Sequence, residues 1–270
     1  MAELSGYDAD FLGATVPLPE PTESGARSRL DYPHFAVLLD HDRRLARVTG
    51  VNVDGAGLVA VPRRGSWHLD PRVPDEFQAG TQVYARNNLD RGHLVRRRDP
   101  GWGSDAVAAT EATFAYTNAA PQAAAFNQSP QLWLGLEDHV LGYAEAHRLR
   151  ISVFTAPVLG DDDPPYRGIR IPRRFWKIIV WVSAEQQLAA SAFLLDQSDL
   201  IADTVERIAA APLPPFRTFQ LPVRDVAILA GIDAGPLVAA DVLRTDPLRV
   251  TRWISLRTPD DIVLSRPGAD

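Results

Sequence analysis

The sequence predicts an α+β fold, in which strands and helices occupy separate stretches of the chain. Three observations support this prediction. Apolar runs of strand length follow one another in two places, within residues 35–53 and 151–195. Helical spacing marks other stretches, and no internal repeat is present. A doubly wound sheet would need strands and helices in regular alternation, and this order does not provide it.

The first fifty residues predict an irregular arm followed by a hairpin. Residues 1–28 are rich in Pro, Gly, Ser and acidic side chains, so we expect an irregular arm instead of a core element. Phe35–Leu39 and Leu45–Val53 are apolar runs separated by the turn residues Asp40-His41-Asp42. Two such runs around a turn are typical of paired antiparallel strands.

The next stretch predicts a loop and then a short helix. Residues 62–82 contain Pro62, Pro71 and Pro74, and we expect a long loop there. Ser104 or Asp105 is a suitable cap for the helix, whose small apolar residues share one face. Those residues are Ala106, Ala109 and Ala112.

The C-terminal half predicts a long helix, three strands and a shorter helix. Ser129-Pro130 supplies a cap and a first-turn proline for the long helix, which continues to Ala144 with helical spacing. The acidic triplet Asp161-Asp162-Asp163 is more simply a surface loop than a cation site. The strands are expected over Ile151–Val158, Phe175–Val182 and Leu188–Leu195, and the shorter helix over Val223–Ile232. We assign residues 1–28 to the arm, 29–242 to one domain and 243–270 to a C-terminal extension.

The composition restricts the chemistry more than the location. The 270 residues include no Cys, which excludes disulfides, thiolate metal ligands and a cysteine nucleophile. No run approaches the roughly 18 apolar residues of a membrane-spanning helix, and residues 1–13 lack the profile of a signal peptide. We therefore expect no membrane partner, and a protein that is cytoplasmic or exported by a route that needs no such signal.

The charge of the chain leaves nucleic acid open as a ligand. A net charge of −6 argues weakly against it, because nucleic-acid-binding proteins usually have a basic surface. A groove can nevertheless be basic on an acidic protein. Arginines are clustered here at Arg63-Arg64, at Arg91 with Arg96–Arg98, and at Arg167–Lys177, although most such clusters are solvated surfaces.

One of the six histidines, His93, stands in a context that indicates chemistry. It ends the sequence Asp90-Arg91-Gly92-His93, whereas no histidine pair has the HExxH pattern of a zinc site. Further segments follow in order: Thr117–Gln122, Phe126–Gln128, Trp133–Asp138, Ile171–Lys177 and Ala192–Gln197. Together these segments resemble the DNA/RNA non-specific endonuclease family over roughly Leu30 to Ile232. The resemblance implies a ββα-metal nuclease fold, with a central antiparallel sheet flanked by helices.

Hydrolysis of a phosphodiester explains why these residue types would be needed. The reaction requires an activated water and stabilisation of charge on the phosphate and the leaving oxygen. Histidine can accept a proton near neutral pH. Magnesium prefers oxygen ligands and keeps several waters, so one amide oxygen is an adequate protein ligand. Arginine is a permanently charged, bidentate partner of phosphate.

The resemblance assigns roles to individual residues. It implies that His93 is the general base and that Asn127 is the ligand of Mg²⁺ or, alternatively, Mn²⁺. Asn118 would support the geometry of the site, and Glu137 would orient water on the metal. Arg91 would lie near the scissile phosphate.

Phosphate binding is assigned to two further arginines. Arg64, upstream of Trp67, is similar to a phosphate-binding residue of the family. Leu141 stands where the family carries another arginine, one helical turn after Glu137. Arg96, with its neighbours up to Arg98, would then supply that contact instead.

The expected function is metal-dependent endonucleolytic cleavage of DNA and RNA with little sequence preference, leaving 5′-phosphate ends. The alternative is a degenerate relative that binds nucleic acid or a protein without cutting. The acidic net charge and Leu141 favour this alternative mildly, whereas the complete set of chemical residues opposes it. A homodimer and an inhibitor protein are further possible partners that the sequence does not decide.

Overall fold

The protein was analysed as a computed structural model that describes residues 6–123, 141–205, 217–243, 253–258 and 261–264. The described strands are β1 (Glu20–Pro21), β2 (Arg27–Tyr32), β3 (Phe35–Asp40), β4 (Leu45–Asp54), β5 (Leu89–His93), β6 (Ala119–Ala123), β7 (Arg150–Val158), β8 (Pro165–Tyr166), β9 (Ile169–Arg170), β10 (Arg174–Val182), β11 (Leu188–Asp196), β12 (Arg217–Leu221), β13 (Ile232–Asp233) and β14 (Ile254–Leu256). The helices are α1 (Thr81–Tyr84), α2 (Ala106–Ala112), α3 (Ser198–Val205), α4 (Val223–Ala230) and α5 (Leu237–Ala240). The α+β prediction is confirmed.

An eight-stranded antiparallel sheet forms the centre of the fold, in the order β14-β12-β11-β10-β7-β4-β3-β2. The predicted hairpin is β3–β4, and the three predicted strands are β7, β10 and β11. Both faces of the sheet are covered. Along β10, for example, Phe175 and Ile179 belong to one core, while Trp176 and Ile178 belong to the other. Because alternate side chains point to opposite faces, burial on both faces explains why these strands are nearly continuous apolar runs.

A separate two-stranded ribbon, β5–β6, lies on the first face of the sheet. Its strands pair antiparallel, from Leu89 opposite Ala123 to His93 opposite Ala119. Leu89, Ala119 and Ala123 belong to the same core as Val51 of β4. The ribbon therefore has the large sheet as its foundation, although it shares no strand pairing with it.

The second face is covered by α4, α5 and the N-terminal arm. The expectation that residues 1–28 contribute no core element is wrong, since the buried side chains of Tyr7 and Val16 belong to the second core. The Tyr7 hydroxyl donates to the Val16 carbonyl at 2.8 Å, and its ring meets Phe154 edge-on at 5.3 Å. Proline and glycine predicted the irregular backbone correctly, but the few apolar residues between them decide where the arm lies.

The remaining elements mostly follow the sequence. Residues 62–82 form a loop that contains only a 3₁₀ turn at Asp75–Phe77 and the beginning of α1. Asp105 occupies the N-cap position of α2, but its side chain makes no capping hydrogen bond. The helix α4 ends at Gly231, whose left-handed φ of 60° permits a C-cap that side chains with a Cβ rarely adopt. Of the predicted long helix, residues 141–147 are described and are helical.

The acidic triplet lies in a loop, as predicted. Asp161 and Asp162 are exposed, whereas Asp163 is buried and forms an ion pair with Arg43 at 2.7 Å. In the described part of the chain, no three His, Cys, Asp or Glu side chains converge as a metal site would require. The described helices also include none that is long and apolar enough to span a membrane.

Candidate functional site

His93 is the last residue of β5 and therefore lies at a strand end. Side chains alternate along a strand, which places Arg91 and His93 on one face of the ribbon and Asp90 and Gly92 on the other. The chain then passes from His93 into a segment held by Asn118, the residue that directly precedes β6. The ribbon thus brings two of the predicted residues, which are distant in sequence, to one end.

Gly92 is required by the side chain of Gln122. A Cβ at Gly92 would lie 2.1 Å from the Cδ atom of Gln122, far inside van der Waals contact. Gln122 is buried, and neither of its amide atoms has a hydrogen-bond partner in the described structure. The glycine of the motif therefore makes room for an amide that crosses the ribbon.

Asn118 is fully buried and fixes the chain just after His93. Its Nδ2 donates to the carbonyls of Val95 at 2.9 Å and Thr113 at 3.0 Å, and its Oδ1 accepts from the Val95 amide at 2.8 Å. Its own carbonyl accepts from the amide of Leu94 at 3.0 Å. These bonds hold the backbone that follows His93 in place, which is what the supporting role predicted for Asn118 requires.

The imidazole of His93 lies among aromatic rings, with Trp67 at 4.6 Å and Phe114 at 5.1 Å between ring centroids. Its Nε2 atom is buried and has no hydrogen-bond partner among the described residues. Burial, and then the positive charges of Arg63, Arg97 and Arg96, lower the pKa of His93 to about 3. The ring is therefore neutral at physiological pH, with one nitrogen unengaged.

Arginines surround this ring, but they are not all the predicted ones. Arg96 helps to lower the pKa of His93, whereas Arg64 is not among the groups that shift this pKa, although Arg63 and Arg64 are both exposed. Its neighbour Arg63 acts on His93 instead, and sequence reasoning assigned Arg63 no role. Two adjacent arginines look alike in sequence, and only the path of the loop distinguishes them.

The path of that loop depends on Gly65. Its φ of +141° lies where side chains with a Cβ rarely occur, and an added Cβ would be 2.4 Å from the Phe114 ring. Beyond it, the backbone amide of His68 donates to the carbonyl of Phe114 at 3.1 Å, and the backbone amide of Tyr116 donates to the carbonyl of His68 at 2.8 Å. The loop is thereby joined to residues 114–116, which brings Trp67 against His93.

Arg91 is held at the side of the site by two tyrosines. Its Nε donates to the Tyr116 hydroxyl at 3.3 Å, and its guanidinium lies 5.4 Å from the ring centre of Tyr84. The Tyr116 hydroxyl also shares a 2.8 Å hydrogen bond with Thr81. These contacts orient the guanidinium while leaving most of its N–H donors available.

A buried polar network fastens the same loop to β2. Asp70 accepts from the Tyr32 hydroxyl at 2.6 Å and forms two side-chain bonds with Arg72, at 3.0 and 2.7 Å. The Tyr32 hydroxyl also shares a 2.7 Å bond with Thr117, the neighbour of Asn118. Burial alone would raise the pKa of Asp70, but the bonds from Arg72 and Tyr32 outweigh it and lower that pKa.

Gln197 anchors the far end of β6. Its Oε1 accepts from the amide of Ala123 at 3.0 Å, and its Nε2 donates to the carbonyls of Pro121 at 3.2 Å and Pro172 at 2.7 Å. The residue is fully buried. Sequence analysis quoted Gln197 and Pro172 as parts of motifs without a role, and their role here is to fix the strand that leads towards Asn127.

Two predicted site residues, Asn127 and Glu137, lie outside the described residues. Leu141, where the family resemblance implies a missing arginine, is buried in the first core. The structure therefore brings together His93, Asn118, Arg91 and Arg96, and adds Arg63 and Arg97, whereas Arg64 is not among the charges that lower the pKa of His93.

Comparisons with known proteins agree with this architecture. The family model described as DNA/RNA non-specific endonuclease matches residues 14–241. An uncharacterized protein, y4fB, of Sinorhizobium fredii is 37% identical, over 89% of this chain and 40% of its own length. A protein named Nuclease from Syncephalastrum racemosum is 24% identical, over 72% of this chain and 64% of its own length. The chain thus spans less than two thirds of the length of either relative.

A solved structure shares the fold. A chain in the crystal structure of the EndoG/EndoGI complex, which concerns the mechanism of EndoG inhibition, aligns with a TM-score of 0.60 at 21% identity. The alignment covers 77% of this chain and 86% of that one. At this identity the likeness establishes a common fold, with the large antiparallel sheet as its shared framework.

Proposed function

The chain belongs to the DNA/RNA non-specific endonuclease family, and we propose that it hydrolyses phosphodiester bonds of DNA and RNA in a metal-dependent reaction with His93 as general base. The observation that carries this proposal is the buried, unpartnered Nε2 of His93. A buried polar atom without a partner is costly in a folded protein, and a group that performs chemistry is a frequent reason to keep one.

Burial and the neighbouring arginines keep the imidazole of His93 neutral, although a pKa so far below the operating pH also weakens it as a base until bound phosphate neutralises those arginines. A histidine protonated at neutral pH could not accept the proton of an attacking water. Arg63, Arg96 and Arg97 exclude the protonated form through like charge, and the same charges would attract phosphate. One electrostatic arrangement therefore prepares the base and binds the substrate.

The donor set fits a hard cation such as Mg²⁺. The chain offers no thiolate, and the proposed ligand Asn127 supplies an amide oxygen of the kind that such a cation accepts beside water and phosphate. When bound, the metal would neutralise charge developing on the phosphate and the leaving oxygen. Gln197 fixes Ala123, which precedes Asn127 by four positions in the sequence.

The other residues bind and position. Arg91, steadied by Tyr84 and Tyr116, would hold the scissile phosphate, and Asn118 keeps His93 in place through the backbone that follows it. Release of 5′-phosphate ends, the water-orienting role of Glu137 and phosphate binding by Arg64 stay predictions from the resemblance. A homodimer and an inhibitor protein are proposed partners, the latter because the structural neighbour occurs in a complex that concerns EndoG inhibition.

The competing proposal is a binding module that does not cut. The acidic net charge and the buried Leu141 favour it, whereas a neutral, unpartnered histidine beside arginines favours cleavage.

A nuclease assay on plasmid DNA and total RNA tests the proposal. We expect degradation of both substrates in Mg²⁺, none in EDTA, and an increase in the Mg²⁺ concentration needed by Asn127→Ala. The matched control is His147→Ala, which removes an exposed histidine outside the site. Well-folded wild-type protein that cleaves neither substrate in Mg²⁺ or Mn²⁺ would make the binding module the leading function.

A further inference from the structure

Three arginines outside the candidate site form a second basic surface, which we call the distal patch: Arg44, Arg167 and Arg170. They surround the hairpin β8–β9, beside a pocket of about 440 Å³ whose wall includes Tyr166, Arg167 and Arg170. Sequence analysis singled out Arg167–Lys177 as a basic cluster, and the proposed function uses none of it. Lys177 is buried in β10 and does not contribute to this surface.

The distal patch differs from other arginines in what its guanidinium groups contact. Arg44 donates to the carbonyls of Gly168 at 3.2 Å and Gln78 at 2.8 Å. Arg167 donates to those of Gln82 and Ala85 at 2.9 and 2.5 Å, and Arg170 to those of Asp161 and Asp163 at 3.2 and 3.0 Å. Backbone carbonyls orient these groups without neutralising them.

No carboxylate within the described ranges forms an ion pair with these three arginines. By contrast, Arg43 is paired with Asp163, Arg72 with Asp70 and Arg173 with Asp162. Asp42 is the acidic side chain in the wall of the pocket, and Arg43 in the same wall is already neutralised. The distal patch therefore retains unneutralised positive charge in fixed directions.

The backbone also departs from its usual preference to place Arg167. Arg167 and Gly168 both have positive φ, 45° and 81°, between the paired residues Tyr166 and Ile169. This is the geometry of a two-residue hairpin turn whose first position favours Asn, Asp or Gly. An arginine held in the left-handed region is uncommon, and such residues tend to cluster at functional sites.

The distal patch connects with the candidate site through α1. Arg167 is bonded to Ala85, which follows Tyr84, and Tyr84 contacts Arg91. Arg91 follows Ala85 by six positions in the sequence, so their Cα atoms lie at most about 22 Å apart. Because phosphates of one strand recur roughly every 3.4 Å along a duplex axis, a phosphate at Arg167 would lie within about seven nucleotides of one at Arg91.

We propose that the distal patch binds the phosphate backbone of the nucleic acid within about seven nucleotides of the cleaved bond, so that the protein favours long substrates over short ones. This inference rests on the proposed function, because it assigns a second contact to the same substrate. Binding would be independent of sequence, since guanidinium–phosphate contacts carry no information about bases.

The test measures binding in EDTA, so that cleavage does not interfere. The probes are fluorescent DNA duplexes of about 24 base pairs and dinucleotides, which are too short to reach both contacts, titrated by anisotropy between about 50 and 200 mM salt. The variant is Arg167→Asn with Arg170→Ala, because Asn tolerates the left-handed turn. Arg224→Ala with Arg257→Ala is the control, since it removes two exposed arginines outside the distal patch.

We expect the distal-patch variant to bind the long duplex at least about tenfold more weakly at the lowest salt, with a salt slope smaller by about 1.8 for two lost contacts. Binding of the dinucleotide, which cannot span both contacts, should weaken less than that of the duplex, and the control should behave as wild type. An equal loss for both probes, an equal loss in the control, or unchanged binding of the long duplex would overturn the proposal. Unchanged DNA binding would leave an acidic protein as the ligand of the distal patch.

The two proposals fail in different ways. If the wild-type protein binds long DNA through the distal patch but cleaves nothing in Mg²⁺, the nuclease function is wrong and the phosphate contact stands. If it cleaves DNA but the distal-patch variant binds and cleaves long and short substrates like wild type, only the distal contact is wrong. Wild-type protein that binds neither probe would overturn the contact as well.

Discussion

Two buried polar groups near Thr117, the carboxylate of Asp70 and the imidazole of His93, differ in whether their polar atoms have hydrogen-bond partners. At Asp70, the hydroxyl of Tyr32 and the guanidinium of Arg72 saturate the carboxylate, and its pKa falls. At His93, the Nε2 atom has no partner in the described structure, and the surrounding arginines repel a proton. The comparison teaches that a saturated site holds the chain together, whereas an unsaturated one retains a capacity to react.

The largest expected effect comes from removing the unsaturated group. His93→Ala should lower kcat/KM for DNA by about 10²- to 10⁴-fold, the usual contribution of a general base. The free energy of unfolding of this variant at pH 7 should fall by less than that of a variant that loses buried hydrogen bonds. The reason is that Nε2 of His93 has no hydrogen-bond partner among the described residues. Loss of less than about tenfold in activity would contradict the assignment.

Removing the saturated group should give the converse result. Asp70→Ala leaves the buried Tyr32 hydroxyl and the half-exposed Arg72 without their partner, so we expect a loss of roughly 2–3 kcal/mol in unfolding free energy. Activity should be retained at temperatures where the variant is folded. Glu23→Ala is the control, because the Glu23 carboxylate is exposed and its pair with Arg47 should contribute less than about 1 kcal/mol. Chemical denaturation of the three proteins tests the ranking.

Acidification should distinguish the two sites by their pH windows. The folded pKa of His93 is about 3 and its unfolded value is 6.5, so the unfolded chain gains the proton first as pH falls. The contribution of neutral His93 to the free energy of unfolding is therefore fully present above pH 6.5. It declines as the pH falls towards 3, by at most about 1.4 kcal/mol per pH unit. Because the pKa of Asp70 is lowered in the folded protein, this residue makes stability depend on pH only below its ordinary pKa of 3.8.

Denaturation between pH 7 and 4.5 measures this difference. Wild-type protein should lose stability relative to His93→Gln over that range, whereas Asp70→Asn should run parallel to wild type. A His93→Gln profile that is parallel to wild type would show that the imidazole is not held neutral.

The smallest expected effect separates two adjacent arginines. Arg63→Ala should raise the pKa of His93, because it removes a like charge, and Arg64→Ala should leave that pKa unchanged. The imidazole proton resonances, followed by NMR through a pH titration, report it directly. Equal shifts in the two variants would mean that the loop does not direct Arg63 alone to the site.

The sequence predicted whatever depended on local pattern. Long apolar runs identified β7, β10 and β11, and the motif context singled out His93 and Asn118. The choice of Arg63 over Arg64, by contrast, depends on how Gly65 packs against Phe114, a contact between segments about fifty residues apart. The burial of Tyr7 and the anchoring by Gln197 also arise from tertiary contacts, which no local pattern records.

The position of Gln197 has a consequence for the biosynthesis of the protein. The residue that anchors Ala123 follows it by 74 positions. A ribosome synthesises the chain from the N terminus, so the segment leading to Asn127 emerges well before the residue that fixes it. A nascent nuclease is surrounded by messenger and ribosomal RNA. On the proposed function, late arrival of the anchor would postpone assembly of the cutting centre until Gln197 has been synthesised.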